Sequence, residues 1–403
     1  MKENFRKKIL KNGMTVLFEK REIPVMSMIF AVKSGGINES LDEKGISHFI
    51  EHMLYKGTKK RSAKKIAEDI EKTGGELNGF TSEELTGFWC KIPSKNLYSA
   101  LDVLMDLVKN PVFDEKELEK ERKVIFEEMK LYKDNPRLHV LNEIQKILYT
   151  GTLSVDLIGT QKTMNSLSNK KLVDKFKKIY TPENMIFCSV GNGDFKKLIN
   201  ILEKNFKSSR REISKQDFKK KNEIKYEKRK GLDQANLVFA FHSPISSNKD
   251  SYAAHLLLSL MVGGMSSRLF SEIREKRNLA YAVKGEFNCN KEFSYSYIYV
   301  GTTKENVEKV KELILREFED VSKNLRKKEF DKIKKQVIGN YEISMEDSQT
   351  QMINLLASEF HNKAEDFYEF SKNIAKVKIN DIKRLASLVS EKNYSFYALI
   401  PED

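Results

Sequence analysis

The chain has 403 residues, 40% of them hydrophobic, 10% aromatic and 32% charged, with a net charge of +14. This is enough apolar material for a sizeable core and enough length for two to three domains of about 150 residues each, which excludes a disordered chain. With 19 Gly and 7 Pro, a collagen-like or Pro/Gly-rich architecture is excluded as well.

In chain order, the opening reads as a strand hairpin. Ile9-Leu10 and 14–18 flank the turn Lys11-Asn12-Gly13, with glycine where positive φ is wanted. The residues before it, Met1-Lys-Glu-Asn-Phe-Arg-Lys-Lys, hold no apolar stretch, so no signal peptide is expected. A second strand is expected over 26–32, a helix over 45–55, and another from Ser62 to Thr73 that stops at Gly74-Gly75. Strands follow at 77–81 and 87–92. Residues 94–109 carry helical periodicity up to Asn110-Pro111, and 114–133 reads as a long charged helix. A strand closes this half at 185–190.

The second half repeats the order, with a strand at 235–241, helices at 252–262 and 266–276, and a strand at 295–300. Val124-Ile125 lines up with Val337-Ile338, and Asp134 lines up with Asp347 in the same register. The expected fold is α+β, with two homologous domains, each an antiparallel-rich sheet packed with helices. The boundaries expected are 1–207, a basic linker at 208–224, and 225–403. Between Lys207 and Lys230 stand eleven basic and four acidic residues, so half of the net charge sits in one polar stretch. A solvated linker accounts for that charge better than a nucleic-acid surface, so no nucleic-acid partner is expected. Cys90, Cys188 and Cys289 contain no C-x-x-C pair and form neither a disulfide framework nor a zinc ribbon. A reducing compartment and a cytoplasmic location are expected. The longest apolar run, Leu256 to Val262, is broken by Ser259 and falls far short of the about 20 residues a membrane span needs, so no membrane partner is expected.

Two of the six histidines fall in Ser47-His48-Phe49-Ile50-Glu51-His52. On a helix, positions i and i+4 share a face, so His48 and His52 can present two imidazoles to one metal ion, with Glu51 beside them. This is H-x-x-E-H, the reverse of the H-E-x-x-H zinc helix. A catalytic zinc needs a third protein ligand and an open position. The long helix offers Glu121 and Glu128, two turns apart and so within about 20° of one face. Glu127 is turned about 100° away. A carboxylate pointing inward from a seated helix needs a counter-charge, which a metal ion supplies.

Gly45-Ile-Ser-His-Phe-Ile-Glu-His-Met-Leu-Tyr-Lys-Gly-Thr58 resembles the signature of the inverted-motif zinc peptidases, the family of pitrilysin, insulysin and the mitochondrial processing peptidase β subunit. The resemblance continues through Arg61-Ser62-Ala63, Gly74-Gly75, Asn78-Gly79-Phe80-Thr81-Ser82 and Glu121-Arg-Lys-Val-Ile-Phe-Glu-Glu128. In the second half it takes in Arg274-Glu-Lys-Arg-Asn-Leu-Ala-Tyr281. Nearly the whole chain is covered, and its length fits the family's short two-domain branch.

The resemblance implies one Zn²⁺ per chain, held by His48, His52 and a glutamate at the family's fixed spacing after the second histidine, which selects Glu128 over Glu127. It implies that Glu121 accepts the free ring N–H of a ligand histidine, and that Glu51 is the general base of a zinc endopeptidase. It implies peptide binding along an exposed edge that includes Asn78, Gly79 and Phe80, with Arg274 and Tyr281 holding the substrate backbone. Many members carry Ala where this chain has Gly79, so a slightly looser edge is expected. A two-domain chain carrying both sets of residues implies a homodimer, whose chamber admits peptides and unfolded segments. His139, His242, His255 and His361 have no motif partners and read as core or surface residues. The second copy has Tyr341 and Lys334 where the first has Glu128 and Glu121, and so no metal site. The alternative is a non-catalytic scaffold subunit of the same fold. The small S-ribosylhomocysteine lyases share the inverted motif, but they are far shorter and lack the later blocks.

Overall fold

The computed structural model describes residues 4–207, 214, 216–390 and 392–402. The first half opens with strands β1 (Phe5–Ile9), β2 (Thr15–Lys20) and β3 (Val25–Val32), then helices α1 (Ile46–Leu54) and α2 (Ala63–Glu71). A hairpin of β4 (Glu76–Thr81) and β5 (Thr86–Pro93) leads to α3 (Leu97–Lys109), the long α4 (Glu115–Asp134) and α5 (Pro136–Leu148). Helices α6 (Gln161–Ser166) and α7 (Asn169–Ile179), strand β6 (Met185–Gly191) and α8 (Phe195–Asn205) close it.

The second half runs β7 (Ile224–Arg229), β8 (Ala235–His242), α9 (Ser251–Val262), a π-helical stretch at Phe270–Glu275, β9 (Ala280–Cys289) and β10 (Ser294–Thr302). Then come α10 (Val307–Asn324), α11 (Lys327–Ser344), α12 (Ser348–His361), α13 (Asp366–Lys376), α14 (Ile379–Leu388) and β11 (Ser395–Pro401).

The strands form two mixed sheets, in the orders β1-β2-β6-β3-β5-β4 and β7-β11-β8-β10-β9. In each, one parallel pair (β2–β6, β7–β11) sits beside antiparallel pairs. Without β1, the first order maps onto the second strand for strand, so the internal copy read from the sequence is visible as shared topology. β3 and β8 are buried along nearly their whole length, which is why Val25–Val32 and Ala235–His242 read as apolar runs rather than as alternation.

Packing divides the described residues into two compact units. One takes in the described parts of 1–129, 151–217 and 344–368, the other those of 130–150, 218–343 and 369–403. Each has its own core, built around Phe30, Phe49, Leu104 and Phe187 in the first and Phe239, Leu256, Ile314 and Phe396 in the second. These units cut across the linear order of the chain, and the second takes in residues from Phe218 on. α5, from the first half, lies on β8 and β11 of the second unit, where it buries Val140, Ile144 and Ile147. α12, from the second half, lies on β3 and β6 of the first unit, where it buries Met352, Leu355 and Leu356. Each half lends its counterpart helix to the other half's sheet.

One local expectation is corrected. The basic stretch is not solvated throughout. Phe218 packs edge-on against Tyr149 with centroids 5.9 Å apart, and the Lys221 N–H donates to the Leu148 carbonyl at 2.8 Å. Ile224–Arg229 is a strand at the end of the second sheet, whose outer position tolerates its charged side chains. Arg210, Arg211, Glu212 and Lys215 of the expected linker lie outside the described residues. The helix expected over 266–276 is present at 268–275 and is π-helical from Phe270 to Glu275.

Candidate metal centre

The site begins with the burial pattern of α1. Ile46, Phe49, Ile50 and Met53, spaced as one helical stripe, are fully buried. Each contributes roughly 1.5–3 kcal/mol by leaving water, which fixes the rotation of the helix. His48, Glu51 and His52 are thereby turned to the opposite face. The helix begins at Gly45, whose φ of +95° favours glycine and where a Cβ would run into Met164 Cε. The fully buried Glu39 carboxylate caps the start, accepting the Gly45 N–H at 2.8 Å and the Ser47 N–H at 2.7 Å. Beside it, the Lys44 ammonium is buried against the Gly36 carbonyl (3.0 Å) and Glu83 (3.1 Å).

α4 supplies the acidic side. Leu118 and Ile125 seat it on the core, and Glu121 and Glu128 project from one flank of that stripe. Arg122 projects from the other. Its guanidinium donates to the carbonyls of Met164 and Leu167 and stacks 5.4 Å from the Phe49 ring centroid, which ties α4 to α1. Glu127 is exposed.

The result is a compact donor set. His48 Nε2 and His52 Nε2 stand 3.3 Å apart, and Glu128 Oε2 is 3.6 Å from the first and 3.7 Å from the second. Ligands of a tetrahedral zinc, at about 2.0–2.2 Å from the ion, stand about 3.3–3.6 Å from one another, so the three atoms fit that metal. Among the described residues this is the only group of three such donors so close together.

Glu121 accepts the His52 Nδ1–H at 3.1 Å with Oε2, while Oε1 takes the Lys56 ammonium at 2.7 Å. That contact fixes His52 with the proton on Nδ1 and the lone pair on Nε2. Burial alone pushes the Glu121 carboxyl up, but the hydrogen bonds from His52 and Lys56 outweigh it and hold the group below the usual carboxylate range. Burial, with the charge of His52 adding to it, lowers the His48 pKa to about 3, which keeps that ring in the neutral form a metal requires.

Glu51 lies beside β4. The Thr81 hydroxyl donates to Glu51 Oε2 at 2.6 Å. Burial lifts the Glu51 carboxyl above its ordinary range, against the pull of Thr81 and of the His52 charge. β4 ends the first sheet and pairs only with β5, with Asn78 opposite Trp89 and Phe80 opposite Gly87. Asn78 is exposed, and Gly79 and Phe80 are half-buried. The glycine is not loosely surrounded, because a Cβ at Gly79 would lie 2.6 Å from Tyr55 Oη and 3.1 Å from Glu51 Oε1.

Arg274 and Tyr281 belong to the second unit. Arg274 lies in the last turn of the π-helical stretch, its guanidinium 5.4 Å from the Tyr281 ring centroid and 4.9 Å from that of Phe270. Tyr281, near the start of β9, is 81% exposed. β9 ends the second sheet as β4 ends the first. At the positions matching Glu128 and Glu121, Tyr341 stacks on Phe370 and Lys334 donates to the Ala375 carbonyl. His139 bonds to Glu227 and Tyr397, His242 bonds to the Lys221 carbonyl, and His255 packs between Phe287 and Phe370.

Sequence reasoning did not single out Glu39, Lys56, Thr81 or Arg122. Lys56, Thr81 and Arg122 lay inside the recognised blocks, but each acts across a gap in sequence. Lys56 pairs with Glu121 from a different helix, and Thr81 reaches Glu51 from the sheet edge. Only Glu39 left a local signal, as an acidic residue ahead of a helix start.

Residues 15–161 match the family described as insulinase (peptidase family M16), and residues 166–337 match the peptidase M16 inactive domain. An uncharacterized zinc protease of Rickettsia felis is 33% identical over 352 residues, covering 86% of this chain and 85% of that one. The uncharacterized zinc protease YmxG of Bacillus subtilis is 31% identical over 351 residues, covering 85% and 84%. The fold is similar to that of a protease from Helicobacter pylori, with a TM-score of 0.91 at 22% identity over 98% of this chain and 99% of that one. It is also similar to a peptidase M16 inactive domain from Pseudomonas fluorescens, with a TM-score of 0.89 at 19% identity over 99% and 98%.

Proposed function

The chain belongs to the insulinase family of peptidases, M16, and on that premise we propose that it is a zinc-dependent endopeptidase acting on peptides and unfolded segments. One observation carries the reading: His48, His52 and Glu128 converge their donor atoms while Glu51 stands beside an open sheet edge. His48 and His52 would hold the zinc through Nε2, and Glu128 would hold it through its carboxylate. A zinc ion held there would supply Lewis-acid polarisation of a peptide carbonyl and a water whose pKa is lowered to about 7.

Glu51 takes a proton from the attacking water and returns it to the departing amine. Its buried position suits this work, since a carboxylate with a raised pKa sits nearer the operating pH. Thr81 holds Oε2 and so sets the direction of Oε1. The substrate lies extended along β4 past Asn78, Gly79 and Phe80, and main-chain hydrogen bonds supply affinity with little side-chain selection. Arg274 and Tyr281 hold the substrate backbone. The chain works as a homodimer in which this pair serves the partner chain's zinc site, and the two copies enclose the chamber.

The test is a peptide-library digest with and without a chelator, run beside Glu51→Gln. Wild type is expected to cleave, the chelator to stop it, and zinc to restore it better than Mn²⁺ or Co²⁺. Glu51→Gln is expected to keep its zinc and lose about 10²–10⁴ in kcat. Cleavage by Glu51→Gln at the wild-type rate overturns the reading. The match of residues 166–337 to an inactive domain favours a second reading, a scaffold subunit without chemistry. Metal analysis separates the two: the peptidase carries one zinc per chain, the scaffold none.

A further inference from the structure

We propose that Lys56 is a positioning residue of the metal centre, acting through Glu121 on the ring of His52. The proposal rests on the metal-site reading above. Lys56 follows the end of α1, where the chain turns and the Lys56 N–H donates to the Met53 carbonyl at 3.1 Å. From there its side chain reaches α4. Nζ lies 2.7 Å from Glu121 Oε1, and Glu121 Oε2 lies 3.1 Å from His52 Nδ1. On the far side of the same ring is Nε2, 3.3 Å from His48 Nε2. An unbroken line of contacts therefore runs from an ammonium through a carboxylate and an imidazole to a ligand atom.

The Glu121 side chain is only 6% exposed, whereas that of Lys56 is 30% exposed. The carboxylate thus draws little on water and relies on its two protein partners for orientation. Each partner takes one oxygen. With Oε1 anchored by the ammonium, Oε2 stays on the ring N–H. Without Lys56, only the His52 contact itself orients the carboxyl group, and the ring loses the outside anchor that defines the direction of Nε2. Charge-assisted bonds of this kind are short and directional, which suits them to hold an angle as well as to add stability. Lys56 also lies on the same stretch of chain as His52, so the line closes a loop between α1 and α4 around the ligand.

The experiment measures zinc affinity of the full-length chain by competition with a chromophoric chelator, for wild type, K56M, K56R, E121A and K56M/E121A. The melting temperature of each metal-free protein is recorded beside it. K56M is expected to bind zinc about 10–100-fold more weakly, the range seen when a group supporting a ligand is removed. K56R is expected to recover most of the loss. In the E121A background, K56M is expected to change nothing further, because the line is already cut. The metal-free K56M protein is expected to melt somewhat below wild type, because Glu121 loses one of the two partners that hold it ionised, and metal-free K56R is expected to melt with wild type. Zinc binding by K56M equal to or tighter than wild type overturns the proposal. So do losses that multiply in the double variant, or a K56M loss that tracks a lower metal-free melting point and is not recovered by K56R. A wild-type chain that takes up no zinc removes the metal-site reading and this proposal together. Zinc binding without peptide cleavage removes only the peptidase reading.

Discussion

At the scale of single residues, the centre is a set of groups whose ionisation is set by burial and by their immediate neighbours. Glu51 is lifted above the ordinary carboxylate range, and a general base must be ionised to work. The acid limb of kcat/KM is therefore expected above pH 4.5, and a pH–rate profile checks it. His48 has its pKa lowered to about 3, below the unfolded value of 6.5. The unfolded chain then binds a proton that the folded chain refuses, so stability falls as pH drops below about 6.5 and goes on falling to about 3. For this one group the slope is at most about 1.4 kcal/mol per pH unit. Chemical denaturation of the metal-free protein between about pH 7 and 5, compared with His48→Gln, measures it; equal slopes would exclude the shift. Gly79 and Tyr55 form a matched pair, since a Cβ at 79 meets the tyrosine hydroxyl at 2.6 Å. Gly79→Ala is expected to cost about 1–3 kcal/mol through overpacking. Tyr55→Phe removes the oxygen in the way, so the double variant is expected to be more stable than Gly79→Ala alone.

Among the elements, α1 carries two ligands and the base because its opposite stripe is buried. The buried stripe of Ile46, Phe49, Ile50 and Met53 sets which way the motif faces. The carboxylate that caps the helix was not announced. Glu39→Ala leaves the N–H groups of Gly45 and Ser47 buried without that acceptor, at an expected cost of about 1–3 kcal/mol in denaturant unfolding. Zinc affinity is expected to fall with it, since the helix start sets the position of His48. An unchanged denaturation midpoint would show that water replaces the carboxylate. β7 misled for a physical reason: an outer strand keeps charged side chains in water, so Ile224–Arg229 looks like linker by composition.

For the molecule as a whole, two copies of one topology have diverged in chemistry while keeping their strand order. Only the first holds a three-donor cluster among the described residues. The helix exchange, α5 on the second sheet and α12 on the first, means that neither half of the chain holds all of its own compact unit. Cutting the gene between the halves is therefore expected to give fragments that do not fold alone but recover zinc binding when co-expressed; a soluble, zinc-binding fragment of 1–207 would refute this. The proposed dimer is tested by mixing. Glu51→Gln and Arg274→Ala chains are each expected to be inactive, and co-expressed hybrids are expected to regain activity, because one site then pairs an intact base with an intact arginine. No recovery in hybrids would place Arg274 outside the partner's site.

The sequence by itself determined the inverted histidine pair, the internal copy in constant register and the family. These are legible because they rest on local periodicity and fixed spacing. Helix geometry narrowed the third ligand to one acidic face, and the resemblance chose Glu128 on it. Only the tertiary structure decided that Lys56 meets Glu121, that Thr81 meets Glu51, that Tyr55 fills the space beside Gly79, and that α5 and α12 leave their own halves. Those contacts join residues far apart in the chain, and short-range pattern carries no record of them. They come from the way whole helices and sheets pack, once burial has fixed the rotation of each.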